Sequence, residues 1–387
     1  MSSTPYDVVI GGGSVGGLSF ASEAASLGLS VLVLEEDREI GEPEKCDGLV
    51  SLRAMGEYIA PEKDCIQSRV RSGTVFSPSG ASTTLDASRL DVVVIDRGAY
   101  DRQLAELAVS RGAKVLTSSR VIGTETTPGG VRVKAGGEEY RCAYYVDATG
   151  PSGVIRRNRL GLIPAAKYEV RGRWVRDGEV EVHLDRRKYP GFFAWVIPRG
   201  DDIAKVGAAG FGVNSFRALE SFLAGRGGEV LKKVAAPIYV GGPVADFVSG
   251  RTILVGEAAG QVKPTTAGGI LASVAGGITA ARSVWKALTR KDPTELGGYQ
   301  RSWENRFGTE FRTMKRLRGI FEGLSNDDLE RIVSLLSSKR VSERLASADF
   351  DFHATALLSA VGVKGTLQLA GVLISAEARQ ALASLVR

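Results

Sequence analysis

Cysteine is scarce in this chain. Among its 387 residues there are three, Cys46, Cys65 and Cys142, too few for a disulfide framework, and none stands in a C-x-x-C pair. Histidine is scarcer: His183 and His353 lie far apart, and neither has metal-ligand spacing around it, so no metal centre is expected. No basic stretch followed by an apolar run opens the chain, which argues against a secretory leader. Long apolar runs are missing as well. The nearest, residues 354–375, is broken by Lys364, Gln368 and three glycines, and reads as a helix packed on the protein or resting on a membrane surface rather than crossing one. There is no internal repeat, no low-complexity tract and no nucleic-acid-binding motif. A cytoplasmic globular protein is expected.

The chain is too long for one ordinary core, so two or more sub-domains are expected. Hydrophobic residues at 43% and charged residues at 24% are the balance of a soluble protein. The net charge of +6 and pI near 9.2 suit an anionic partner such as a lipid headgroup or a phosphorylated substrate. Because the basic residues are scattered, nucleic acid is not among the expected partners.

Glycine, by contrast, is abundant, and its placement is the strongest signal. Gly11-Gly12-Gly13-Ser14-Val15-Gly16 follows the apolar run Val8-Val9-Ile10, and a second apolar run, Val31-Leu32-Val33-Leu34, closes on Glu35 and Glu36. A strand, a G-x-G-x-x-G turn, a helix and a second strand ending in an acid form a dinucleotide-binding unit. Gly11 permits the tight turn, Gly13 lets backbone N–H groups approach a pyrophosphate, and Gly16 lets the helix pack close to the sheet. The helix start stabilises phosphate charge, and Glu35 can accept from ribose hydroxyls.

Beyond residue 36 the pattern predicts short strands at 73–76 and 92–95 and a helix after Arg97 with Leu104, Leu107 and Ala108 on one face. A parallel strand at 112–116, a hairpin turning at Gly129-Gly130 and a strand ending in Asp147-Ala148-Thr149-Gly150 follow. Residues 165–245 change to alternating stretches, such as 179–184 and 204–209, that suggest an antiparallel sheet. A buried-type strand returns at 252–255, followed by Gly256-Glu257-Ala258-Ala259 and a small-residue helix over 268–281. Ser325-Asn326-Asp327-Asp328 reads as a capping box before a helix with Leu329, Ile332, Val333 and Leu336 on one face. The expected fold class is α/β, α+β overall. A discontinuous Rossmann-like nucleotide domain takes 1–72, 95–160 and 248–290, an antiparallel-sheet substrate domain takes 73–94 and 161–247, and a helical region takes 291–387. Nicotinamide dehydrogenases usually complete their nucleotide domain in one stretch, whereas large flavoproteins often return to FAD late in the chain.

Four separated segments resemble the geranylgeranyl reductase family, within the p-hydroxybenzoate hydroxylase-like FAD proteins, from about residue 5 to about residue 310. They are the glycine turn with Glu35, the loop Gly41–Gly48, the run Phe193-Ala194-Trp195-Val196-Ile197-Pro198, and Gly256-Glu257-Ala258-Ala259 with Lys263-Pro264 and Gly268-Gly269-Ile270. The loop Gly41–Gly48 is similar to the family's P-x-x-x-C-G/A loop, which implies that Cys46, with Asp47 and Gly48, lies beside the flavin; from spacing alone an ordinary loop cysteine is the favoured reading. The run from Phe193 resembles the family's aromatic-x-W-x-F-P pattern, which implies that Phe193, Trp195 and Pro198 wall a polyprenyl channel. From the residues alone a strand with core aromatics is an equal reading, and flavin halogenases carry a related W-x-W-x-I-P motif. The segment from Gly256 resembles the second FAD signature, G-D-A-A, with Glu257 in place of the aspartate that reaches the ribityl chain, so that contact must be rearranged. The resemblance further implies FAD contacts at Ser14, Val15, Glu36, Arg97 (phosphate side), Val121 (adenine) and the flavin-facing Gly268, Gly269 and Ile270.

The function so implied is saturation of isoprenoid C=C bonds in geranylgeranyl chains, most simply those of archaeal-type ether lipids, by hydride from reduced FAD plus a proton. Cys46 or an ordered water is the expected proton donor. The electron donor, a ferredoxin or NAD(P)H, is left open because no second G-x-G-x-x-G unit is present. A flavin monooxygenase or halogenase, or a non-catalytic flavin or lipid carrier, are the rival readings. Basic charge and the apolar segment at 354–375 suit peripheral contact with an anionic membrane.

Overall fold

Val8, Val9 and Ile10 are buried on both faces, as residues of a central parallel strand must be. In the computed structural model, which describes residues 5–151, 161–235, 237–346 and 349–354, strand Tyr6–Gly11 lies between Val31–Leu34 and Glu138–Asp147 and runs parallel to both. Lys114–Leu116 extends the sheet on one side. On the other, Thr252–Leu254 pairs in parallel with the end of Glu138–Asp147 (Tyr145 opposite Thr252), so the sheet is completed more than a hundred residues later in the chain. The hairpin Val121–Thr127/Gly130–Ala135 adds antiparallel to the first half of Glu138–Asp147.

Helix Val15–Ser26 packs against both Arg97–Ser110 and Ile270–Arg290. Small residues set how close the last of these comes. A Cβ on Gly277 would sit 2.4 Å from the carbonyl oxygen of Gly16, so the two helices meet backbone to backbone. Leu104 and Ala108 of the expected apolar face are fully buried, and Leu107 is half-buried.

The other large sheet has seven strands in the order Glu229–Ala235, Ala165–Arg171, Ile203–Ala209, Ala194–Gly200, Glu179–His183, Ser72–Phe76, Ser82–Asp86. Every pairing is antiparallel except that of Glu179–His183 with Ser72–Phe76, which is parallel. Those two strands come from distant segments, so no hairpin constrains their direction. Ile203–Ala209 also departs from the alternating pattern: it is buried throughout. Its Ala204, Val206 and Ala208 pack with helix Ser215–Leu223 through Leu219, while on the other face Lys205 reaches the loop at Glu44 and Gly207 lies against Trp195. Val92–Ile95 joins neither large sheet; it is the middle strand of a small antiparallel sheet with Leu49–Ser51 and Ile66–Arg69.

Helices Gly297–Trp303, Thr309–Gly323, Asn326–Leu336 and Lys339–Leu345 follow. Trp303, with Phe247, Phe307 and Phe311 around its ring, anchors the first two to the core. The capping box forms as expected: Ser325 Oγ accepts from Asp328 N at 3.2 Å while Asp328 Oδ2 accepts from Ser325 N at 2.9 Å. Among the described residues no helix is long and apolar enough to cross a membrane. The surface helix expected at 354–375 lies, beyond Ala354, outside the described residues.

Candidate active site

The glycine turn is built around two close approaches. Gly12 has φ +105°, and a Cβ there would lie 2.3 Å from the carbonyl oxygen of Ala148; a Cβ on Gly11 would lie 2.4 Å from Tyr145 Oη. Gly13 N donates to Glu35 Oε2 at 2.5 Å, and Glu35 Oε1 accepts from Asp37 N at 2.9 Å, so the acid is held beside the turn. Gly16 lies against Val255 and Gly256, which brings the first and fourth motifs together. Val121 is buried next to Gly11, whereas Glu36 is exposed and pairs with Arg120 at 3.4 Å.

Val15 opens the helix, and its N-cap, Ser14, makes no side-chain cap. Ser14 Oγ instead donates to Asp101 Oδ2 at 3.3 Å and accepts from Arg97 Nη2 at 3.1 Å. Arg97 is buried, pairs with Asp101 at 2.9 Å, and keeps its Nε covered without a partner. Burial works against its charge, yet the Asp101 carboxylate, with the Cys46 side chain beside it, outweighs burial and holds the guanidinium above its ordinary pKa. An uncapped helix start beside a permanently charged, partly unsatisfied guanidinium fits the phosphates of a dinucleotide.

The loop carrying Cys46 has only Glu44 and Lys45 between Pro43 and the cysteine, with Asp47 at the Gly/Ala position of the pattern. Its geometry depends on two lysines that sequence reasoning missed. Lys167 Nζ donates to Cys46 O at 2.9 Å. Lys205 Nζ donates to Glu44 Oε1 at 2.7 Å, Asp47 O at 3.3 Å and Ile95 O at 3.2 Å. The only signal was Lys205 standing in the otherwise small and apolar strand Ile203–Ala209. Gly48, at φ +81°, closes the loop where a Cβ would meet Ile95 O at 2.1 Å.

Trp195 joins the third motif to this loop, its Nε1 donating to Asp47 Oδ2 at 2.9 Å. Phe193 stacks on Phe192 at 4.1 Å and meets Trp195 edge-on at 6.0 Å, which makes a continuous aromatic wall. Pro198 is buried, and its carbonyl accepts from Ser68 Oγ at 2.7 Å. The indole lies flat over Gly207, where an added Cβ would be 2.1 Å from Trp195 Cζ2. Gly207→Ala is therefore expected to displace Trp195, break its bond to Asp47 and destabilise the protein by about 1–3 kcal/mol, read from denaturant unfolding followed by tryptophan fluorescence. An unchanged midpoint and spectrum would refute this packing.

In the fourth motif Glu257 Oε1 accepts from Tyr239 N at 3.2 Å, which ties the loop to the strand at Ile238–Tyr239. Gly256 N donates to Gln261 Oε1 at 2.8 Å. Gly268 packs on the Lys263 side chain, Gly269 on Val262, and Ile270 begins a long helix whose N-cap, Gly269, makes no side-chain cap. Lys263 pairs with Asp351 at 3.0 Å and lies over the Phe350 ring at 4.2 Å. His353 Nε2 is 2.9 Å from Thr265 Oγ1, and burial together with Lys263 pushes its pKa down to about 4. His183 is likewise structural, 2.8 Å from Glu181 and stacked on Phe76. Among the described residues no cluster has the makings of a metal site.

No family model matches the chain. Digeranylgeranylglycerophospholipid reductase 2 of Methanothermobacter thermautotrophicus is 33% identical to it over 365 residues, covering 87% of this chain and 93% of that protein. The chain belongs to the digeranylgeranylglycerophospholipid reductase family. The reductase of that name from Methanocaldococcus jannaschii is 28% identical, with 86% and 90% covered. Among solved structures, a geranylgeranyl bacteriochlorophyll reductase-like protein of Thermoplasma acidophilum matches with a TM-score of 0.84 at 24% identity, covering 95% of this chain and 99% of that one. The flavin-dependent halogenase CmlS matches with a TM-score of 0.64 at 18% identity, covering 93% and 77%. The fold is thus shared by this reductase family and by flavin-dependent enzymes of other chemistry, and it is the site, not the fold, that must discriminate.

Proposed function

We propose that the protein is an FAD-dependent reductase that saturates the geranylgeranyl chains of glycerol ether phospholipids. The observation that carries this reading is the meeting of four distant motifs: Ser14 with Arg97, Arg97 with Cys46, Asp47 with Trp195, and Gly16 with Gly256. The glycine turn, the uncapped helix start and Arg97 suit the pyrophosphate, and Glu35 suits the ribose. A bound, reduced FAD supplies the hydride. The chain's own residues then have two tasks. Phe193 and Trp195 hold an apolar chain flat and exclude water, and a proton must be kept ready for an isolated alkene, which is a poor hydride acceptor until positive charge develops on it. The aromatic wall and the half-buried Cys46 loop support both. The net charge of +6 supports contact with an anionic membrane that holds the lipid. The electron donor is a ferredoxin or a transiently bound nicotinamide.

The test is mass spectrometry of digeranylgeranylglycerol phospholipid, presented in anionic vesicles, after anaerobic incubation with dithionite-reduced protein. Mass gains in steps of two hydrogens, absent with boiled protein, are expected, as is sedimentation of the protein with the vesicles at low salt. Oxygen consumption by the reduced protein without saturated product would replace this reading with a monooxygenase or halogenase. Lipid that co-purifies unchanged, with a flavin slow to reduce, would replace it with a carrier. Release of FMN rather than FAD on denaturation would correct the cofactor.

A further inference from the structure

Two carboxyl groups of one loop share a buried cluster with two lysines, and their surroundings push them in opposite directions. Glu44 Oε1 accepts from Lys205 Nζ at 2.7 Å and from Arg97 N at 3.2 Å. Lys205 gives its other bonds to the backbone carbonyls of Asp47 and Ile95, and Lys167 gives one to the carbonyl of Cys46. None of these bonds goes to the Asp47 carboxyl. Asp47 Oδ2 accepts from Trp195 Nε1 at 2.9 Å, while Oδ1 is covered and has no hydrogen-bond partner. Burial lifts the Asp47 carboxyl above the ordinary aspartate value against the pull of Lys167 and Lys205, and the Glu44 charge adds to the lift. Burial raises Glu44 too, but Lys205 and Lys167 outweigh it and hold that group below its ordinary value. Two carboxyls separated in this way divide the work of holding a proton and holding a charge. Cys46, the alternative, has its thiol against Arg97 on the phosphate side.

We propose that Asp47 delivers the proton in the alkene reduction, held at the edge of the aromatic wall by its bond from Trp195. The inference rests on the function proposed above. In the step, the C=C electron pair forms a C–H bond with the Asp47 proton as the O–H bond breaks. The other carbon, left electron-deficient, takes hydride from the reduced cofactor. The product has gained one proton and one hydride, and the cofactor has lost two electrons. Asp47 is left as a carboxylate near the Lys167 and Lys205 ammoniums and is reprotonated from water before the next turnover.

The test uses the full-length protein with its bound flavin. Asp47→Asn keeps the size of the side chain and an acceptor for Trp195 but has no acidic proton. Its single-turnover rate is expected to fall by about 10²-fold or more with lipid affinity unchanged, and Asp47→Glu is expected to recover at least about tenfold of that loss. Retained flavin absorbance shows that each variant is folded. Infrared spectra of the protein without lipid give a readout independent of turnover. The wild type is expected to show a carboxylic-acid C=O band that converts to carboxylate above the ordinary aspartate range and is missing from Asp47→Asn. A variant as fast as wild type, or a wild type with no such band at the assay pH, would overturn the proton role alone. Failure of the wild type to saturate lipid would overturn the functional reading beneath it, while the infrared band would still report whether Asp47 holds a proton.

Discussion

Lys205→Met is expected to cost the fold about 3–5 kcal/mol at neutral pH, because it removes one partner of a buried ion pair and strands the other. The Lys205 side chain is 0% exposed and that of Glu44 10%, at 2.7 Å, so little water can reach the carboxylate once the ammonium is gone. The carbonyls of Asp47 and Ile95 lose a donor at the same time. The cost has a definite pH dependence. Glu44 is depressed in the folded protein, so its contribution is fully present above the ordinary glutamate value of 4.5 and is lost as pH falls through the lower folded value. In Lys205→Met the same carboxyl loses the stronger of its two lysine partners and moves upward, so the variant regains stability relative to wild type in acid. Urea unfolding at neutral and at acidic pH measures this. A penalty of equal size at both would show that packing, not charge, is what Lys205 provides. Lys205→Met with Glu44→Gln should be less damaging than Lys205→Met alone, since the carboxylate that lost its closest partner is no longer charged.

Gly12→Ala is expected to yield protein without flavin. At φ +105° the backbone is already in a region that L side chains rarely adopt, and the new Cβ would lie 2.3 Å from the oxygen and 2.6 Å from the carbon of the Ala148 carbonyl. Both clashing partners are backbone, and both belong to the centre of the parallel sheet: Gly12 N donates to Leu34 O, and Ala148 N donates to Gly11 O, each at 2.8 Å. Relief requires moving the turn that is proposed to hold the phosphates. Backbone strain there costs about 1–3 kcal/mol, and a displacement near 1 Å is enough to lose roughly 10²-fold in a function that depends on position. Gly28→Ala is the control. It also has positive φ, at +84°, but nothing lies within 4 Å of its Cβ position. It should cost stability without loss of cofactor. Flavin absorbance of the purified variants separates the two, and a fully loaded Gly12→Ala protein would show that the turn does not carry the cofactor.

Much of the fold was legible in the sequence because it rests on local requirements. The nucleotide unit needs an apolar run, a glycine turn and another apolar run within its first three dozen residues, and each is a short-range demand of backbone conformation or burial. The same holds for the capping box at Ser325 and Asp328, which is complete within four residues. The late return of the chain at Thr252–Leu254 could be expected because a strand buried on both faces has a composition of its own.

What only the tertiary structure decided is which distant face each residue meets. Trp195 and Asp47 are 148 residues apart, and Lys205 and Glu44 are 161 apart. Period-two alternation says that Lys167, Trp195, Lys205 and Gly207 share a face only once the pairing register is known, with Trp195 and Lys167 both opposite Gly207. Whether that face meets solvent or another domain depends on how the sheets pack, and here it meets the Cys46 loop. The sequence alone therefore determined the β-α-β unit with its glycine turn and the family to which the chain belongs. The ionic and aromatic setting around Cys46 and Asp47 belongs to the packing of two sheets, because strand register and sheet-to-domain contact are long-range quantities that no local pattern encodes.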